Sequence, residues 1–144
     1  MRIGVVVITH GQLAAELLNS AEMIVGDLPQ FAAVSIGWHD GVEQAREEIE
    51  HAIARIRQNP DGTIDETTGV LLLTDMFGGT PANLAITFLD KDKVEVITGV
   101  NLAMLIKLAR PPQGADLLGL AREMREHGRG AIWVASDLIR GEKG

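Results

Sequence analysis

Ile3-Gly4-Val5-Val6-Val7-Ile8 is apolar at every position, and this lack of alternation limits the fold more than any other feature. A strand with one wet face alternates apolar and polar residues, whereas an unbroken β-branched run needs cover on both faces, as in a parallel sheet. Phe31–Ile36, Val70–Thr74 and Val94–Thr98 are further runs of strand length. Between them the period changes from 2 to 3.6. Leu13, Ala14, Leu17, Leu18, Ala21, Ile24 and Val25 form one helical stripe that Gly26 is placed to end. Val42, Ala45, Ile49, Ala52, Ile53 and Ile56 form a second stripe, with Glu43, Arg46, Glu47, Glu50 and Arg57 on the opposite face. Thr80-Pro81 predicts a helix start with Thr80 as cap and Pro81 at the first helical position. Leu102–Ala109 reads as a helix that is apolar almost all round, stopped before Pro111-Pro112. A last helix carries Leu117, Leu120, Ala121 and Met124, and a short strand, Ala131–Ala135, is expected after Gly128. Strand and helix alternating in this way predict an α/β fold, a mainly parallel sheet covered by helices on both faces.

With 144 residues and no internal boundary, the expectation is a single domain over residues 1–135 followed by a fraying tail over 136–144. A net charge of −7 argues against nucleic acid or an anionic membrane as partner, since both reward a basic surface. The absence of cysteine excludes disulfides, thiolate catalysis and Cys-based metal sites. No run approaches the roughly 20 apolar residues that span a bilayer, and Met1–Ile8 is too brief for a signal peptide. The expectation is a cytoplasmic protein without membrane insertion.

In open α/β sheets, ligands bind outside the carboxyl ends of the strands, where strand order reverses. If the order is 2-1-3-4, the first and third strands flank that point. Thr9-His10-Gly11 leaves the first, and Thr74-Asp75-Met76-Phe77-Gly78-Gly79-Thr80-Pro81 leaves the third. A carboxylate that accepts a hydrogen bond from one imidazole nitrogen fixes the tautomer and frees the other nitrogen as nucleophile. On this reading Asp75 acts on Nδ1–H of His10 and leaves Nε2 to attack. An ordinary histidine titrates near about 6.5, so neutral imidazole is available at cytoplasmic pH. Phosphoryl transfer is catalysed mainly by positioning and charge stabilisation. Backbone amides at Gly78-Gly79-Thr80, the Thr80 hydroxyl and the helix opening at Gly11 would all favour an oxyanion there.

Taken singly, each residue also has a purely structural reading. A histidine at a strand end can simply be hydrogen-bonded, Asp75 can cap or turn, Gly78-Gly79 can serve the turn, and Thr80 can be an N-cap without a ligand. His39, in Trp38-His39-Asp40-Gly41, leaves the second strand on the same rim and rivals His10, without a glycine-rich helix start beside it. His51 lies off its helix's apolar stripe, and His127 sits near a helix C-terminus where the dipole favours it. His10, His39 and Asp75 match no metal signature, so no metal and no other cofactor is expected. An aspartate-phosphorylated receiver domain is disfavoured because the first turn lacks an acidic pair to hold Mg²⁺. A nucleotide or flavin binder would need the first-turn glycine fingerprint, and a hydrolase would need an activated Ser or Cys.

Four motifs in the same order carry a resemblance. Ile8-Thr9-His10-Gly11, Ala21-Glu22-Met23-Ile24-Val25-Gly26, the run Leu73 to Asn83, and Thr98-Gly99-Val100-Asn101-Leu102 with Met104-Leu105 resemble the mannose-family enzyme IIA of the bacterial phosphoenolpyruvate:sugar phosphotransferase system. The similarity covers residues 1 to about 135. It implies a sheet of order 2-1-3-4 and a homodimer in which the C-terminal strand, here Ala131–Ala135, crosses to the partner subunit. It further implies a phosphotransferase that takes a phosphoryl group from the histidine-phosphocarrier protein HPr on His10 and passes it to an enzyme IIB domain for sugar uptake. Asp75 would then be the hydrogen-bond partner, with Gly11, Gly78, Gly79 and Thr80 as phosphate contacts. Two features depart from the pattern. Gly37-Trp38-His39-Asp40-Gly41 is unlike the Pro-Gly-Glu loop of transport-coupled members, and no enzyme IIB sequence follows. Both make room for an alternative, a regulatory phosphoprotein of a transporter-less phosphotransferase system, whose added charge of roughly −1.5 to −2 a partner would read.

Overall fold

The computed structural model describes residues 2–141. Met1 and residues 142–144, at the ends of the expected domain and tail, lie outside the described residues. The strands are β1 (Ile3–His10), β2 (Phe31–Ile36), β3 (Gly69–Thr74) and β4 (Val94–Thr98), and they form one parallel sheet in the order β2-β1-β3-β4. The helices are α1 (Leu13–Val25), α2 (Val42–Arg57), α3 (Thr80–Ile86), α4 (Leu102–Leu108), α5 (Leu117–Gly130) and α6 (Ala135–Arg140). α1, α4 and α5 lie on one face of the sheet, and α2 and α3 on the other.

Side-chain parity divides the sheet into two cores. Val5 and Val7 of β1 point with Leu71, Leu73 and Ile97 toward α1, α4 and α5. Val6 and Ile8 point with Val34, Val70, Leu72 and Val94 toward α2 and α3. Both sets are buried, so β1 has no wet face to mark with a polar residue, which is why its sequence does not alternate. A one-residue slip would exchange the two sets, so the register Val5↔Leu71 is fixed by packing on both sides at once.

Strand order, layering and most element bounds agree with the sequence expectations, and two expectations need correction. Ala131–Ala135 is not a strand. α5 continues through Gly130, the backbone turns at Ala131, and α6 begins at Ala135. β-branched residues favour a strand only where an edge is available to pair with, and within the described residues no strand of the chain pairs with this segment. Ile132, Trp133 and Val134 instead lie 76%, 61% and 64% exposed. α6 runs through part of the segment read as a tail and buries none of its residues.

The second correction concerns α3. Gly79, not Thr80, occupies the cap position, with φ 86° and ψ 170°, and its carbonyl accepts from the Asn83 amide at 3.0 Å. Thr80 is the first helical residue and makes no capping hydrogen bond through its side chain. The left-handed φ is open to Gly79 without steric cost, so the backbone turns one residue earlier than a threonine cap would allow.

Candidate functional site

The site is built where β1 and β3 end side by side. β1 continues two residues past its apolar run: Thr9 pairs with Ser35 and His10 with Ile36, so His10 is the last residue of the strand rather than the first of a loop. The Gly11 amide then donates to the Ile36 carbonyl at 2.8 Å, tying the strand end to β2. That amide is therefore engaged within the fold, so any contact of Gly11 with an anion runs through the dipole of the helix it opens rather than through its own N–H. Thr9 is fully buried, and its hydroxyl accepts from the Ala14 amide at 2.7 Å. Gln12, the residue at the cap position of α1, makes no such bond through its side chain, so Thr9 caps α1 from five residues upstream. The residue before His10 thus fastens the strand to the helix that follows.

β3 delivers Asp75 next to His10. Asp75 Oδ2 lies 2.8 Å from His10 Nδ1 and also accepts from the His10 amide at 3.0 Å, while Oδ1 accepts from the Met76 amide at 3.1 Å. Both carboxylate oxygens are held, so the carboxylate and ring are fixed relative to each other. Burial is the largest single influence on the Asp75 carboxyl and pushes its pKa up. The hydrogen bonds from the His10 ring and amide, with the ring's charge, together outweigh it, and the pKa ends below the ordinary aspartate value. An ionised carboxylate only accepts, so Nδ1 carries the proton and the lone pair of a neutral ring resides on Nε2.

Nε2 faces the turn after β3. A Cβ placed on Gly79 would stand 3.1 Å from both Nε2 and Cε1 of His10. Only glycine leaves the side of the ring that bears the lone pair open at this point. The amides of Phe77, Gly78, Gly79 and Thr80 have no acceptor among the described residues, and the Thr80 side chain is exposed. The His10 side chain is 51% exposed and Asp75 only 15%, so the ring is presented to solvent while its anchor is sheltered.

His39 stands apart from this arrangement. It lies in a tight turn in which the Gly37 amide donates to Asp40 Oδ2 at 2.6 Å and the Asp40 amide donates to the Gly37 carbonyl at 3.2 Å. No hydrogen bond ties its ring to a carboxylate among the described residues. His51 and His127 are exposed on α2 and α5, away from the strand ends. Among the described residues no three His, Cys, Asp or Glu side chains gather as a metal site. Sequence reasoning missed Thr9, whose role depends on the direction of a buried side chain rather than on any motif.

The chain as a whole has known relatives. The family model described as "PTS system fructose IIA component" (EIIA-man) matches residues 4–123. The chain belongs to the EIIA-man family. Among named relatives of this family, the mannose-specific EIIAB component of Escherichia coli K12 is 38% identical over 139 residues, covering 92% of this chain. The chain spans 40% of the length of that relative. The fructose-specific EIIA component of Bacillus subtilis is 27% identical over 138 residues, covering 95% of this chain and 89% of its own. Among solved structures, the mannose/sorbose-specific IIA subunit from Enterococcus faecalis superimposes with a TM-score of 0.77 at 30% identity, covering 93% of this chain and 95% of that one. The EIIA-man sheet order expected from the four sequence motifs is therefore the one observed.

Proposed function

We propose that this EIIA-man chain is a phosphohistidine carrier that accepts a phosphoryl group from HPr on His10 Nε2 and passes it to an enzyme IIB domain. The observation that carries the proposal is the 2.8 Å bond between His10 Nδ1 and an Asp75 carboxylate engaged on both oxygens. The donor is a phosphorylated imidazole. The Nε2 lone pair of His10 forms a bond to phosphorus as the donor's N–P bond breaks, and the donor ring leaves with that electron pair. A donor ring protonated on its other nitrogen departs as neutral imidazole, so no proton has to move in the step. The phosphorylated His10 ring keeps its Nδ1–H and becomes cationic, and the Asp75 carboxylate offsets that charge. Oxygens of the transferring group are received by the amides of Gly78, Gly79 and Thr80 and the Thr80 hydroxyl, with Gly79 leaving room for their approach. Transfer to enzyme IIB reverses the same step onto a new acceptor.

The reading includes a homodimer. Ile132, Trp133 and Val134 form an apolar segment exposed on a lone chain, and β4 is a sheet edge whose outer side, among the described residues, pairs only at Val94, with Asp90. Pairing of 131–135 with a second copy would bury the one and satisfy the other. No helix among the described residues is long and apolar enough to cross a membrane, and the proposed place of action is the cytoplasm.

The test is incubation with phosphoenolpyruvate, enzyme I and HPr. The expected product is an acid-labile, base-stable phosphoprotein that is lost in His10→Ala and retained in His39→Ala. Label retained in His10→Ala would overturn the assignment.

A further inference from the structure

We infer that Trp38 and Phe77 form a two-sided aromatic clamp that docks the phosphoryl-donor protein over His10. The inference rests on the phosphocarrier reading above and names residues that set partner affinity rather than chemistry. His10 pairs with Ile36 at the end of β2 on one side, and β1 pairs with β3 on the other. The loops leaving those two neighbours therefore flank the imidazole. Trp38 stands on the β2 loop 98% exposed, and Phe77 stands on the β3 loop 77% exposed. Two of the chain's five Phe and Trp residues are thus held in solvent at the rim of the one site. Leu13, Val42 and Met76 are also 46%, 54% and 55% exposed, at the start of α1, at the start of α2 and on the β3 loop. Large apolar side chains held in solvent around a functional site mark a protein contact.

Trp38 is presented by a stiff turn. The two hydrogen bonds between Gly37 and Asp40 close the backbone around it. Such pre-organisation lowers the ordering cost of binding. Its own chain buries almost none of its surface, so the fold does not need it.

Charge indicates the kind of partner. The rim segments 9–13, 37–43, 75–80 and 98–101 contain Asp40, Glu43 and Asp75 but no Lys or Arg. These segments offer a phosphoryl dianion no Lys or Arg of their own, and the neighbouring Arg46 is paired with Glu43 at 3.9 Å. The complementary partner is a protein whose phosphohistidine sits in an apolar patch flanked by basic side chains. It must come within bonding distance of His10 Nε2, and so it must also cover the two loops on either side. Phe77 is two residues from Asp75, whereas Trp38 lies outside the His10–Asp75–Gly79 arrangement, which makes Trp38 the cleaner probe.

The experiment measures initial rates of phosphorylation against HPr concentration for the wild type, Trp38→Ala and Trp38→Phe. Phosphoramidate serves in parallel as a small donor that needs no docking surface. Trp38→Ala should raise KM for phospho-HPr at least tenfold while kcat stays within about twofold, and should leave the phosphoramidate rate unchanged. Trp38→Phe should recover most of the loss, and KM should rise with salt as a charged encounter is screened. Wild-type KM in Trp38→Ala, with the wild type itself active, would overturn the clamp and leave the carrier reading standing. A fall in the phosphoramidate rate equal to that with HPr would overturn it too, since the loss would then lie in His10 itself. A wild type that accepts from neither donor would remove the carrier reading and the clamp with it.

Discussion

Gly79→Ala compared with Gly78→Ala separates backbone strain from obstruction of the nucleophile. Both glycines have left-handed φ, 87° at Gly78 and 86° at Gly79. An alanine at either position is held in a sparsely populated backbone region at a cost of about 1–3 kcal/mol. Near 2 kcal/mol this lowers Tm by roughly 4–8 °C in a chain of this size. The two sites differ in what a methyl group meets. On Gly78 it finds nothing within 4 Å, whereas on Gly79 it lies 3.1 Å from His10 Nε2 and Cε1. Ordinary contacts between such atoms are about 3.5–4.0 Å, so the ring must retreat by some tenths of an ångström. It cannot do so freely, because Nδ1 is held 2.8 Å from Asp75. Misplacing a reacting group by about 1 Å can cost on the order of 100-fold in rate, and a partial shift with a methyl beside the nucleophile should cost at least about tenfold. Rapid-quench phosphoryl uptake from phospho-HPr, paired with urea unfolding, reads both effects. Both variants should lose stability, and Gly79→Ala should lose at least about tenfold more rate than Gly78→Ala. Equal transfer rates in the two variants would refute the claim that Gly79 keeps Nε2 open.

Other expectations follow from the same geometry. Asp75→Ala should retain the far-UV spectrum while slowing phosphoryl uptake by roughly 10² to 10⁴, as loss of an orienting carboxylate does in hydrolytic triads; wild-type kinetics would remove Asp75 from the mechanism. Because the folded Asp75 pKa is depressed, its stabilising contribution is complete above the unfolded value near about 3.9 and is lost as pH falls through the folded one. Urea unfolding should therefore show the gap between wild type and Asp75→Asn closing below about pH 4, and a gap that widens on acidification would contradict this. Thr9→Val removes the acceptor of the Ala14 amide and should lower unfolding free energy by about 1–3 kcal/mol. Asn101 accepts from the Met104 amide at 3.1 Å and donates to the Gly128 carbonyl at 3.0 Å, joining α4 to α5. Asn101→Ala should cost about 1–2 kcal/mol by the same measurement.

The sheet could be read from the sequence because β1 is buried on both faces and shows it as an unbroken apolar run. The pairing of His10 with Asp75 was readable for a related reason: the two residues end adjacent strands, so the topology alone brings them together. What could not be read depends on side-chain direction or on non-local backbone bonds. The ladder runs on through polar Thr9 and His10, and the Gly11 amide is tied to β2 beyond it. Thr9 resembles a loop residue in sequence, and only its burial turns its hydroxyl toward α1. At Gly79-Thr80 the local preference for a threonine cap gave way to a left-handed glycine one residue earlier. Ala131–Ala135 has strand composition, but among the described residues no strand of its own chain pairs with it, so composition and fold diverge there.

The most direct test of the account is the chemical position of the phosphorus on the protein. Nitrogen-15 NMR of ring-labelled histidine after phosphorylation by HPr should show nitrogen–phosphorus coupling at Nε2 of His10, with Nδ1 still protonated. Coupling at Nδ1, or phosphate on any residue other than His10, would contradict it.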